Sequence, residues 1–276
     1  MNPFIIYLMS AKLVLNPIQI NTSFNKDIIS LTNFKHDSTN SNLVYGDSDL
    51  EKEISHNGLK LEQDYQKELR KTEKTRKGTN LIVLCDDGKG TGLYLGNTKL
   101  AAETIKENLN GRTIIKEFYN DSIFFDYLLN SNELKADEKI KNIFWFGQGY
   151  FNSLWMELTF KDEKSYLDES DFDDLSETDL TKIKKRFTSD AEMKIYTSHA
   201  SANNWGDTPI AETLSTKLDI NVTGANSWVF TKEIKKNGKT KVYFYPATRK
   251  DYEVEFNTKI PDPLYNGKSR WVQFKK

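Results

Sequence analysis

The chain has 276 residues, 37% of them hydrophobic and 29% charged, with a formal net charge of −1. That length holds one large domain, or one domain plus an extension, and the 12% aromatic content argues for a packed core and against disorder. The balanced charge excludes a global field favouring nucleic acid or an anionic membrane, and the single cysteine, Cys85, excludes an internal disulfide.

In chain order, Phe4–Met9 is apolar but too short to span a membrane, and it lacks a basic flank and a clean small-x-small site. It is expected to be a buried strand or a fragment boundary rather than a signal peptide, which leaves the compartment open. Asn21–Asn42 is dominated by Asn, Ser, Thr, Asp and Lys, with few apolar anchors. Asp47–Lys77 is strongly charged and is expected to form a surface helix through Leu59, Leu61, Tyr65 and Leu69. Its end, Lys67–Lys77, mixes both signs and reads as a solvated helix or linker rather than a nucleic-acid patch. Residues 1–78 are therefore expected to be an extension preceding a domain over 79–276.

From Asn80 the pattern changes. Leu81–Cys85 is a continuous apolar run, suited to a strand buried on both faces of a parallel sheet. Asp86–Gly92 follows. It matches neither phosphate-loop spacing, and its two aspartates oppose an anion, so a flexible rim loop is expected. Leu100, Ala101, Ile105 and Leu109 recur at helical spacing, with Gly111 as the stop. Thr113–Ile115 with Phe118-Tyr119 reads as a second strand, and Ser122 as the cap of a helix carrying Phe124, Phe125, Leu128 and Leu129. Ile140–Phe146 is the third strand.

An acidic stretch from Asp162 to Asp179 follows, with a helix expected through Leu175, Leu180 and Ile183. It lacks the calcium-loop spacing and reads as a solvated acidic face. Met193–Thr197 is the fourth strand, and Thr208-Pro209 opens a helix through Ile210, Leu214 and Leu218. Val222–Phe230 and Lys241–Tyr245 flank Asn237-Gly238, a strong hairpin signal. Lys268–Phe274 is a candidate edge strand. Alternating strands and helices predict an α/β fold with a mainly parallel sheet, an irregular N-terminal extension and a C-terminal β-hairpin.

Three local patterns resemble the caspase-like superfamily of cysteine peptidases, which includes the self-processing domains of bacterial toxins. Leu95-Gly96-Asn97-Thr98, followed by Leu100-Ala101-Ala102, is similar to that family's Gly-Asn-Asp-Ala helix opening. Phe144-Trp145-Phe146-Gly147-Gln148-Gly149 is similar to its strand closing in Gly-His-Gly. Ile195-Tyr196-Thr197-Ser198-His199-Ala200-Ser201 is similar to its strand closing in Ser-Cys-x-Ser/Gly. The resemblance covers about residues 80–230. It implies a caspase-like three-layer α/β sandwich, with Gln148 at the position of the family histidine and His199 at that of the nucleophilic cysteine. A shift of one residue puts Ser198 there instead.

Those replacements remove the family chemistry. Glutamine has no accessible pKa to act as general base, and an imidazole does not support a thioester intermediate. Cys85, on the first strand, is expected to be buried and inert. The resemblance therefore implies a degenerate peptidase relative that acts as a binding or regulatory module for a peptide or protein, and it is compatible with the end domain of a larger toxin-like or secreted protein. No nucleic acid, membrane, metal or cofactor is expected as a partner. The alternative is an active hydrolase built from His199 with Ser198 or Ser201, drawing on Asp86 or Asp207. No Gly-x-Ser-x-Gly elbow supports it. Trp145 and Trp155 flank the expected groove and read as core residues.

Overall fold

The computed structural model describes residues 57–85, 95–135, 137–156, 166–202, 208–247 and 270–276. The chain divides between Lys52 and Glu53, and every described residue belongs to the second unit, Glu53–Lys276. The Phe4–Met9 run, the Asn21–Asn42 stretch, the Asp86–Gly92 loop, Asp162, Glu163 and Asp207 lie outside the described residues.

The first element is helix α1, Asn57–Thr72. Exposed i,i+3 pairs stitch its outer surface: Lys67–Asp64 at 2.8 Å and Lys71–Glu68 at 2.9 Å. Its docking face differs from the expectation. Leu61 is half-exposed, whereas Glu62, Gln66 and Leu69, with Glu73 just past the helix end, are buried. Glu62 receives hydrogen bonds from Lys194 Nζ at 2.6 Å, Tyr196 Oη at 2.9 Å and Gln66 Nε2 at 2.9 Å. Glu73 stands 2.6 Å from Lys141 Nζ and accepts from Asn142 Nδ2 at 2.8 Å. The helix is thus fastened to the sheet largely through buried, hydrogen-bonded charges, a pattern that hydrophobic periodicity does not detect.

Strand β1 (Thr79–Cys85) leads to helix α2 (Leu95–Lys106), strand β2 (Thr113–Phe118), helix α3 (Asp121–Asn130) and strand β3 (Ile140–Phe146). Helix α2 ends before Gly111, because the Asn108 side chain bonds back to the Thr104 carbonyl at 2.9 Å. Gly111, at φ 82, serves instead to turn the chain into β2. The N-cap of α3 is Asn120, not Ser122. Its extended backbone lets Oδ1 accept from Ile123 N at 2.8 Å.

A small antiparallel sheet that the sequence reading did not anticipate follows: β4 (Gln148–Tyr150), β5 (Ser153–Trp155) and β6 (Tyr166–Leu167). The acidic stretch then forms two helices, α4 (Glu169–Asp173) and α5 (Glu177–Lys185). Its carboxylates act locally. Asp168 and Asp171 make a capping box, and Asp179 joins the Ser176 cap of α5. Lysines 182, 184 and 185 stand in the last turn of α5, complementing the helix dipole.

Strand β7 (Phe187–Tyr196) begins six residues earlier than expected. Helix α6 (Ile210–Leu218) has Pro209 at its N-cap, not inside its first turn. The apolar run from Val222 divides into β8 (Asn221–Ala225), which joins the main sheet, and β9 (Val229–Lys236), which pairs with β10 (Lys239–Pro246). Asn237 and Gly238 join β9 to β10 at φ 51 and 73, the positive angles of a tight hairpin turn. This hairpin covers the sheet rather than extending from it. Val242 and Phe244 are buried in the core, and Val242 N donates to Thr104 Oγ1 of α2 at 3.1 Å. Strand β11 (Trp271–Phe274) closes the sheet.

The result is a mixed α/β fold. Its six-stranded sheet has the order β11-β8-β7-β3-β1-β2, parallel throughout except for the antiparallel edge strand β11. Alternation divides the core between the two faces. Leu81, Val83, Ile143, Trp145, Met193 and Ile195 pack with α3, α5 and α6. Ile82, Leu84, Phe144, Phe146 and Tyr196 pack with α1, α2 and the β9–β10 hairpin. Each such side chain contributes roughly 1.5–3 kcal/mol by leaving water. Among the described residues no helix is long and apolar enough to cross a membrane.

Candidate functional site at the strand tips

In an open parallel sheet, loops at the carboxyl ends of neighbouring strands converge. Strands β3 and β7 are adjacent, and their last register pair is Phe146 with Tyr196. Just beyond it, Thr197 Oγ1 donates to the Gly147 carbonyl at 3.1 Å. Gln148 and His199 are therefore carried by neighbouring, tied tips. Cys85 ends β1 on the other side of β3.

Packing explains the two glycines around Gln148. A Cβ on Gly147 would stand 2.9 Å from Cys85 Cβ. One on Gly149 would stand 2.5 Å from the Ser153 carbonyl oxygen and 2.7 Å from Thr197 Cγ2. Gln148 itself is half-buried and opens β4, opposite Trp155. Its amide offers a donor and an acceptor but no proton transfer near neutral pH.

The segment after β7 is a turn, not an extended continuation. His199 takes φ 60, and its amide donates to the Ser227 carbonyl at 2.9 Å. Ala202 N returns to the His199 carbonyl at 2.9 Å, and Ala211 N reaches the Ala200 carbonyl at 3.0 Å. The imidazole is only 6% exposed and meets Trp228 edge-on, with ring centroids 5.1 Å apart. Burial pushes its pKa down to about 4, opposed by a hydrogen bond to the Asn226 backbone. At neutral pH His199 is an uncharged, interior ring, so its titration lies well to the acid side of a physiological switch.

The serines point elsewhere. Ser198 Oγ accepts from Val229 N at 3.0 Å, which anchors the start of β9. Ser201 is buried, and a Cβ on Gly224 would lie 2.5 Å from its Oγ. Both hydroxyls are thereby turned toward the strands that follow. Trp145 and Trp155 are buried in the body. Cys85, by contrast, is half-buried at the rim. The sequence carries a signal for this: the apolar run stops at Cys85, immediately before Asp86-Asp87-Gly88.

A half-open cavity of about 320 Å³ lies away from the tips, on the α1 face of the sheet. It is lined by Tyr65, Glu192, Lys194, Thr223, Trp271 and Gln273, among others. Its charged groups are already engaged inside the protein. Lys194 Nζ pairs with Glu62 and lies 3.4 Å from the Tyr65 ring centre and 4.4 Å from that of Trp271. Burial draws that ammonium below the usual lysine range, with Glu62 opposing. Glu192 faces Arg76 at 3.7 Å. Among the described residues no group of three or more His, Cys, Asp and Glu is placed to hold a metal ion. Comparison of the chain with protein-family models and with curated proteins gives no match.

Proposed function

We propose that this chain is a catalytically degenerate relative of caspase-like cysteine peptidases, and that its strand-tip rim binds a peptide or protein segment without cleaving it. The observation that carries the reading is the tie between two neighbouring tips, one in Gly147-Gln148-Gly149 and the other in Ser198-His199-Ala200-Ser201. The element order also fits a caspase-like three-layer sandwich: strand, helix, strand, helix, strand, mixed insert, strand, helix, strand. At the two positions where the family pairs a base with a thiol, this chain has an amide and a buried, neutral imidazole. Neither Ser198, held by Val229 N, nor Ser201, packed on Gly224, supports a replacement nucleophile.

What the rim retains is recognition chemistry. Gln148 presents both a donor and an acceptor, which match the alternating carbonyls and amides of an extended peptide. The test is a displayed peptide library screened on the full chain, with a fluorogenic peptide pool run in parallel. Binding that weakens in Gln148→Ala, with no turnover, supports the reading. Turnover that disappears in His199→Ala overturns it.

A further inference from the structure

Strand β2 is the terminal strand of the six-stranded sheet and, among the described residues, pairs only with β1. Asn80 N of β1 donates to the Arg112 carbonyl at 2.9 Å. Backbone groups of successive strand residues point to opposite edges. Ile114 and Lys116 therefore face β1, in step with Arg112, and Thr113, Ile115 and Glu117 turn their N–H and C=O groups outward. Among the described residues no backbone hydrogen bond from another element reaches those outward groups. Natural sheets guard such an edge with lysine, proline or a bulge. Here the register with β1 runs without a bulge, and the two charged side chains are drawn aside: Lys116 to Glu133 at 3.1 Å and Glu117 to Lys99 at 3.0 Å. Ile114 and Ile115 pack on the cores of opposite faces and stay half-buried. Just past the strand, Tyr119 and Ile123 are 43% and 46% exposed. An unpaired backbone edge with apolar side chains on both faces fits another strand.

We propose that β2 pairs antiparallel with β2 of a second copy, across a two-fold axis that passes through Ile115 perpendicular to the sheet. Such an axis keeps each face of the sheet on its own side, so the residue at the axis opposes its own copy. Charge selects Ile115 for that place. Its register sets the two Ile115 side chains against each other, Thr113 against Glu117, and Ile114 against Lys116. Each outward residue then exchanges both of its hydrogen bonds with the residue opposite, and no like charges meet. An axis at Ile114 opposes Arg112 and Lys116. One at Lys116 or Glu117 opposes two lysines or two glutamates, and like charges directly opposite are destabilising. An axis nearer either end leaves outward groups unpaired. The pairing joins two six-stranded sheets into one and removes the open β2 edge from both copies. It stands apart from the peptidase ancestry and from the strand-tip rim.

The test is sedimentation equilibrium of the full chain from low to high micromolar concentration, with Ile115→Pro beside wild type. Wild type is expected to reach the mass of two chains. The Ile115 N–H points away from β1, so proline is tolerated there and removes one outward donor from each copy. The dissociation constant of the dimer should rise by about tenfold or more in that variant. A second variant avoids proline altogether. Ile115→Cys in a Cys85→Ser background places two Cα atoms about 5.5 Å apart across the axis, within disulfide reach, and should form a covalent dimer under mild oxidant. Asp64→Cys in the same background, on the exposed surface of α1, should not. A wild type that keeps the mass of one chain overturns the proposal, including one whose Ile115→Cys thiol crosslinks to an added cysteine-bearing strand peptide in preference to its own copy. A dimer unweakened in folded Ile115→Pro, or Asp64→Cys crosslinking as readily as Ile115→Cys, overturns it as well.

Discussion

The Thr197 hydroxyl donates to the Gly147 carbonyl at 3.1 Å, with Thr197 almost wholly buried, and so ties the end of β7 to the end of β3. This bond sets how the two candidate loops stand beside each other. Thr197→Val preserves the shape but leaves the Gly147 carbonyl without that donor. A loss of about 1–3 kcal/mol is expected in urea unfolding, with Thr197→Ser close to wild type. A valine variant as stable as wild type shows that the tips are held by packing alone.

The docking of α1 rests on Glu62, a carboxylate with no exposed surface that receives Lys194, Tyr196 and Gln66. Glu62→Gln strands the Lys194 ammonium inside the protein and is expected to cost about 3–5 kcal/mol. Removing both charges in Glu62→Leu/Lys194→Met should recover most of that loss, because no ion is left unpaired. Denaturant unfolding of the three variants measures this. A single variant within about 0.5 kcal/mol of wild type means that α1 is not fastened through this pair.

His199 and Asp171 oppose each other in pH dependence. The folded pKa of His199 is lowered from 6.5 to about 4, so the unfolded chain binds the extra proton between those values. Its contribution to stability is complete above 6.5 and lost as pH falls toward 4, by about 3 kcal/mol. Asp171 is raised from 3.8 to about 6, chiefly by burial, with Asp121, Asp168 and Asp174 adding to it. The folded chain then holds the extra proton, so this contribution is complete below 3.8 and lost as pH rises toward 6. Because Asp171 is partly exposed, its effect is smaller. Stability profiles from pH 4 to 7 test both signs. His199→Gln should flatten the acid loss, and Asp171→Asn should steepen the net rise with pH. Unchanged slopes in both variants contradict the assignments.

Much of the sheet was legible in the sequence because its strands are apolar on both faces. Leu81–Leu84 and Ile140–Phe146 announce themselves without periodicity, and Asn237-Gly238 fixes its hairpin by the φ values those residues tolerate. What sequence reading missed follows from tertiary contact. The inward stripe of α1 is polar, so hydrophobic spacing selected Leu61, which is half-exposed, over Glu62 and Gln66. The division of the Val222 run between two sheets depends on the close packing of Gly224 against Ala200 and Ser201, which no local pattern encodes. At the candidate site, the chain order of Gln148 and His199 was readable. The interior orientation of His199 was not, because its positive φ comes from the turn braced by Ser227 and Ala202. Cys85 was read as core because it follows an apolar run, although it ends that run at the rim.

The most direct measurement is peptide hydrolysis by the Gln148→His/His199→Cys double variant, set against wild type on the same fluorogenic pool. If the two tips descend from a base and a thiol, wild type releases no product and the double variant gains turnover that iodoacetamide abolishes. A correctly folded double variant without turnover, or cleavage by wild type that depends on His199, contradicts the inherited site.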